Sequence, residues 1–278
     1  MSGDPIVAGT DGSTRAKLAV DKAGELAQAL GASVHVVCVP SALSGHDSSP
    51  LTAAEHIVAE AGERLRSWGI TVQTHVPHGD AAPALVAVAE QEHAQMIVLG
   101  NKGMTGIRRA VGSLPNRVSH DARCGVLIVR TKSRSLAEFG GSSIVVGTNG
   151  SNDAMRAVKE AIRLSKALDS ELHIVSIYKP PSSPEAAVAA AAVEASDQGV
   201  GAITHVTTDE PVGALLDVAK KNDAAIIVIS DKGMHADERV WLGNIPDTLS
   251  HRGTSSVLIV STAEASGTDR EQMSGISV

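Results

Sequence analysis

The chain has 278 residues, a length that suits two domains better than one when a domain is taken as about 150 residues. Hydrophobic residues make up 43% of it and aromatic residues 1%, so its cores must be built from Ala, Val, Leu and Ile, with no stacking platform for single-stranded nucleic acid. A formal net charge of −7 argues further against a polyanionic partner, DNA or RNA.

In chain order, the first strand-like run falls near residues 5–9 and leads into Gly9-Thr10-Asp11-Gly12-Ser13. Ser13 is placed to cap a helix whose small and apolar residues recur at Ala16, Ala19, Val20, Ala23, Leu26, Ala27 and Leu30, the spacing of a one-sided helix, and Gly31 ends it. Further strand-like runs near 33–39, 70–76, 95–100 and 125–130 alternate with helical segments. That alternation predicts a Rossmann-like α/β domain: a parallel sheet with right-handed crossovers and helices on both faces. Cys38 lies inside the second run and reads as a buried small hydrophobe; Cys124 lies just before the fifth. With two cysteines, no Cys-x-x-Cys spacing and no secretory leader, a reducing cytosol is the expected compartment. The longest apolar stretch, around Ala186 to Val193, is Ala-rich and too short to span a bilayer, so a soluble cytoplasmic protein without a membrane partner is expected.

The pattern then recurs. Ile6-Val-Ala-Gly-Thr-Asp-Gly-Ser13 is answered by Ile144-Val-Val-Gly-Thr-Asn-Gly-Ser151, Val34-His-Val-Val37 by Leu172-His-Ile-Val175, and Met96-Ile-Val-Leu99 by Ile226-Ile-Val-Ile229. Leu114-Pro-Asn-Arg-Val-Ser-His120 returns as Ile245-Pro-Asp-Thr-Leu-Ser-His251, and Val126-Leu-Ile-Val129 as Val257-Leu-Ile-Val260. The chain is therefore read as a tandem duplication, with domains over 1–134 and 142–262. The polar stretch Thr131 to Ser143 reads as the linker, and 263–278, rich in Ser, Gly and Glu, as a disordered tail.

Between the fourth run and its helix lies Gly100-Asn101-Lys102-Gly103, then an eight-residue spacer from Met104 to Val111, then Gly112-Ser113-Leu114-Pro115. Glycine lets backbone N–H groups turn inward, and the first turn of the following helix adds unsatisfied donors and a positive dipole end. Such a loop is an anion cradle suited to phosphate, with a plain glycine turn as the alternative. Ser113 can cap its own helix or donate to a phosphate oxygen. Arg108 and Arg109 can pair with outer phosphates or stand as solvated loop charges. Asp11 can accept from a ribose hydroxyl or an adenine amino group, or help hold a metal on the phosphates; an Asx turn is the competing role. Val39 and Pro40, at the end of the second run, can form an apolar wall for a base.

Gly-x-x-Gly, a spacer and Gly-Ser after the fourth strand resemble the nucleotide-binding signature of the universal stress protein family, whose spacer is usually one residue longer. The resemblance implies two tandem five-stranded parallel sheets of order 3-2-1-4-5, with the order reversing between the first and fourth strands. The Asp11 and Gly100 loops both end there, where open α/β sheets bind ligands. It implies an adenine nucleotide, ATP or cyclic AMP or AMP, with or without Mg2+, held by Gly9, Thr10, Asp11, Val39, Pro40, Gly100, Asn101 and Gly103, and by Arg108, Arg109, Gly112, Ser113 and Leu114. The expected role is a sensor or regulator of stress or energy status acting through an unidentified protein partner. The two copies are expected to form a pseudo-dimer through their last strands, with a homodimer of the whole chain left open.

The second copy has Asn149 for Asp11, Ser230 for Gly100 and Asn244 for Ser113, keeps Gly233 and Gly243, and gains Asp231, Asp237 and Glu238. Binding there is expected to be weak, altered or absent. A slow ATPase and a purely structural module are the rival readings; no residue is placed as a general base and no lysine holds a P-loop position. His75 and His78 lie close in sequence, but without a His-Glu-x-x-His or Cys/His cluster the histidines read as surface or strand residues, and no metal ligands are assigned.

Overall fold

Ser13 accepts the Ala16 N–H at 3.3 Å and Gly31 closes the same helix at φ 64°, so the local signals at both ends set a helix over Thr14–Leu30. The computed structural model describes residues 3–40, 49–101, 113–130, 142–177, 183–207, 209–231 and 245–262. In the first half the order is β1 (Gly3–Gly9), α1 (Thr14–Leu30), β2 (Ala32–Val37), α2 (Pro50–Ser67), β3 (Val72–His75), α3 (Ala81–Gln91), β4 (Met96–Gly100), α4 (Leu114–Asp121) and β5 (Gly125–Val129). The second half repeats it: β6 (Ser143–Gly147), α5 (Asn152–Leu168), β7 (Glu171–Ile177), α6 (Pro184–Asp197), β8 (Ala202–Thr207), α7 (Pro211–Lys221), β9 (Ala224–Ser230), α8 (Ile245–Arg252) and β10 (Ser256–Val260).

Two separate five-stranded sheets do not form. All ten strands join one mixed sheet of order β3-β2-β1-β4-β5-β10-β9-β6-β7-β8. Neighbours within each half are parallel, and the halves meet where β5 and β10 pair antiparallel, Leu127 opposite Leu258, Ile128 opposite Val257 and Val126 opposite Ile259. The physical reason is the edge: each last strand is apolar on both faces, and left alone would present a bare row of backbone donors and acceptors. Pairing the two edges satisfies both rows and merges the cores. Ile6, Ala8, Leu127, Leu258, Ile144 and Val146 share one layer with the buried faces of α1, α2, α5 and α6. Val7, Ile97, Val126, Val257, Val145 and Ile227 share the other with α3, α4, α7 and α8.

Ser143 belongs to β6 rather than to a linker: it is buried and its hydroxyl donates to the Asn222 carbonyl at 2.7 Å. Residues 131–141 and the tail 263–278 lie outside the described residues. Among the described residues no helix is long and apolar enough to cross a membrane.

Candidate functional site

β1 ends at Gly9, where a Cβ would lie 2.5 Å from Leu99 Cδ2 and 3.1 Å from Leu85 Cδ2, so a larger residue would require those leucine side chains to shift. The Thr10 N–H still donates to the Val37 carbonyl at 2.9 Å, and then the chain turns away from the sheet. Thr10 Oγ1 accepts the Gly12 N–H at 3.2 Å, Asp11 Oδ1 accepts the Ser13 N–H at 3.0 Å, and Gly12 takes φ +76°. Asp11 therefore does form an Asx turn, but with one carboxylate oxygen; the side chain is exposed and the other oxygen lies outside that turn.

Beside this turn a crevice of about 550 Å3, its open mouth included, opens at the carboxyl ends of β1, β2 and β4. It lies where the strand order reverses, because β1 is flanked by β2 on one side and β4 on the other. Of the residues singled out in the sequence, Gly9, Thr10, Asp11, Val39, Gly100 and Leu114 line it. Ala16, Val37, Ala81, Leu85 and Leu99 complete the lining, and they are the apolar walls that motif reading passed over. Val37 and Leu99 had a legible signal, since each stands at or next to the end of a strand bordering the reversal.

Other candidate residues do not line it. Pro40 is half-buried beside Val39. Asn101 is buried, with its N–H donating to the Val129 carbonyl at 3.0 Å, so its backbone extends the β4–β5 pairing. Ser113 is exposed at the N-cap of α4 and its side chain makes no capping hydrogen bond, so the hydroxyl is not used to close its own helix. Gly103, Arg108, Arg109 and Gly112 lie outside the described residues.

The crevice is framed by an ion pair that the sequence reading missed. Asp80, the N-cap of α3, accepts from Nη1 and Nη2 of Arg117 on α4, the Nη1 contact measuring 3.2 Å. That hydrogen bonding holds the Asp80 carboxyl below the usual range and ties together the starts of the two helices that supply Ala81 and Leu114. Cys38 is buried just beneath the rim, where burial and then the Asp11 carboxylate push its thiol up to about 11; burial likewise pushes Cys124 to about 11. Neither is a poised thiolate.

The second half builds the same turn from a neutral side chain. Asn149 Oδ1 accepts the Ser151 N–H at 3.0 Å, Thr148 Oγ1 accepts the Gly150 N–H at 3.2 Å, and Gly150 takes φ +79°. The conformation survives the loss of the carboxylate. A different group of side chains is also gathered by the fold: His35, His75 and Glu92 converge on the α3 side of the sheet, although their spacing in the sequence shows no metal-ligand motif.

A parallel α/β half-sheet with glycine-ended strands and a carboxylate-rimmed crevice at its point of reversal belongs to the doubly wound, Rossmann-like class, here present twice in one chain. Residues 3–130 and again 142–261 match the universal stress protein family, and the chain belongs to that family as a tandem, two-domain member. Universal stress protein Rv1636 of Mycobacterium tuberculosis (strain H37Rv) is 33% identical over 142 residues, spanning 45% of this chain and 95% of its own length. Among solved structures, a universal stress protein from Archaeoglobus fulgidus DSM 4304 covers 94% of this chain and 97% of its own, with a TM-score of 0.77 at 19% identity, a likeness of fold. A universal stress protein solved in complex with cAMP is 30% identical, covering 47% of this chain and 99% of its own at a TM-score of 0.40.

Proposed function

We propose that this chain is a nucleotide-binding regulator that holds one adenine nucleotide in the crevice of its first half, without strong catalytic activity. The observation that carries this reading is the crevice itself. At the switch point of the sheet it offers apolar walls from Val37, Val39, Leu85, Leu99 and Leu114 and a carboxylate at Asp11. The apolar walls suit a base, and Asp11 suits a ribose hydroxyl or an exocyclic amine. Ser113, uncapped at the start of α4, and the Gly103 to Gly112 loop are assigned to the phosphates, with Arg108 and Arg109 as their charge partners. Pro40 and Asn101 are assigned supporting positions behind Val39 and Gly100. Family membership supports the adenine-nucleotide class; the cAMP complex is a property of that relative.

In this reading residues 1–134 form the binding unit and 142–262 a degenerate partner, in a cytoplasmic protein with 263–278 as a tail. In the second half Asn149 and Ser230 replace Asp11 and Gly100, and Asp231 follows directly. A like charge a few ångströms from a phosphate costs on the order of 3 kcal/mol at an effective dielectric near 20, before salt screens it. Titration calorimetry with ATP, AMP and cyclic AMP, with and without Mg2+, should give roughly one tight site per chain. Gly103→Ala should weaken it about ten- to hundredfold, or ~1–3 kcal/mol, and Gly233→Ala should leave it unchanged. Two equivalent sites, or sensitivity to Gly233→Ala alone, would reverse the assignment. Steady-state phosphate release from pure protein separates a slow ATPase from a sensor.

A further inference from the structure

We propose that His35, His75 and Glu92 form a binding site for one borderline transition-metal dication of the Zn2+ or Ni2+ type, separate from the nucleotide crevice. His35 lies on β2 with 2% of its surface exposed. Its Nδ1 is 3.0 Å from Nε2 of His75, at the end of β3, and 3.6 Å from Oε2 of Glu92, the residue that ends α3. All three ligand atoms lie within 4.8 Å of one another. Around an ion with bonds of about 2.0–2.2 Å, tetrahedral ligand atoms sit roughly 3.3–3.6 Å apart, so the set closes on an ion with shifts on the order of 1 Å. Two imidazoles and one carboxylate, with the remaining position left to water, suit Zn2+ or Ni2+ and not the oxygen-seeking Mg2+ or Ca2+. Without an ion, one proton lies between the two ring nitrogens. A dication takes its place; both imidazoles bind it as neutral rings, and the ring that had donated carries its proton on its other nitrogen.

The second half supplies an internal control. His173 Nδ1 again lies 3.0 Å from His205 Nε2, and the rings stack at 5.2 Å against 5.1 Å for His35 and His75. The imidazole pair alone is thus common to both copies. The third ligand is not: Asn222 ends α7 where Glu92 ends α3, and the carboxylate near His173, that of Glu171, meets the other ring nitrogen, Nε2, at 3.0 Å. The second trio does not converge on a point, so one ion per chain is expected. The site also stands apart from the crevice, because Glu92 is eleven residues along α3 from the crevice residue Ala81, roughly 16 Å away. An ion there would clamp β2, the edge strand β3 and the end of α3.

The test uses the untagged full chain, stripped with a chelator and titrated with Zn2+ against a competing chelator, with Co2+ absorption as a report of coordination. Roughly one tightly held Zn2+ per chain, a raised melting temperature and a tetrahedral Co2+ spectrum are expected. Glu92→Gln and His75→Gln, both at half-buried positions and near in volume to the originals, should each weaken Zn2+ binding at least about tenfold. His205→Gln should leave stoichiometry and affinity unchanged. No tight uptake by the wild-type chain, or equal affinity in Glu92→Gln or His75→Gln, overturns the assignment. Loss of the tight ion in His205→Gln overturns the choice of half.

Discussion

Asp11 and Asn149 make the same turn, with side-chain oxygens 3.0 Å from Ser13 N and Ser151 N, and they differ in charge. The turn therefore does not require the carboxylate, and the charge at Asp11 can be tested without disturbing the loop. Asp11→Asn should change stability by less than ~0.5 kcal/mol while weakening adenine-nucleotide binding about tenfold, or ~1.4 kcal/mol. A thermal melt and a calorimetric titration on the same variant check both halves of that statement, and an unchanged affinity would place the carboxylate outside the binding site. His205 supports a second residue-scale prediction. Burial, then His173, then the Lys221 cation hold its proton affinity below the ordinary value of 6.5. The unfolded chain then binds the proton more readily, so this contribution to stability is fully present above about pH 6.5 and is lost as pH falls toward the depressed value. Urea midpoints between about pH 7.5 and 5.5, with chelator present, should fall less steeply in His205→Gln than in the parent chain. An equal slope would assign the acid sensitivity elsewhere.

At the scale of the element, the two copies solve one problem with different residues. α1 ends in the left-handed region at Gly31, φ 64°, and α5 ends in the same region at Asp169, φ 50°. Glycine reaches that region without a Cβ clash, whereas an aspartate is strained there. Asp169→Gly should therefore stabilise the chain by ~0.5–1 kcal/mol and Gly31→Asp should destabilise it by a similar amount, read from urea midpoints. A destabilising Asp169→Gly would mean that the aspartate side chain makes a compensating interaction. The helix over Thr14–Leu30 was legible in detail because its cap, its apolar stripe and its terminating glycine are consecutive signals in the chain. The second strand-like run, 33–39, extends two residues past the observed end: Cys38 continues the buried run after Val37, but the strand ends there. Apolar composition does not mark the point where ladder pairing stops.

For the whole molecule, the decisive contact is the antiparallel seam, in which Leu127 faces Leu258 with both side chains buried. Removing the second half uncovers the β5 edge and its apolar side chains. Residues 1–134 expressed alone should pair through β5 with a second copy and run as a dimer at micromolar concentration, which light scattering after size exclusion would detect. A well-behaved monomer would show that β5 does not need a partner strand.

The duplication, the strand and helix order and the class of the crevice were legible in the chain itself, because hydrophobic periodicity, caps and glycine turns act over a few residues and leave a local record. That the Asp11 and Gly100 loops end on the same side of the sheet follows from its parallel strands; that they meet at one crevice rested on the strand order the family resemblance implies. Tertiary structure alone decided the rest. The imidazoles of His35 and His75 meet from 40 residues apart, and Asp80 and Arg117 pair from 37 apart. Nothing in their local spacing sets those distances; they follow from which strands and helices become neighbours. The meeting of the two last strands was expected from their apolar faces and unpaired edges, but its antiparallel register, Leu127 opposite Leu258, and its continuation into one ten-stranded sheet were decided by how the two halves come together.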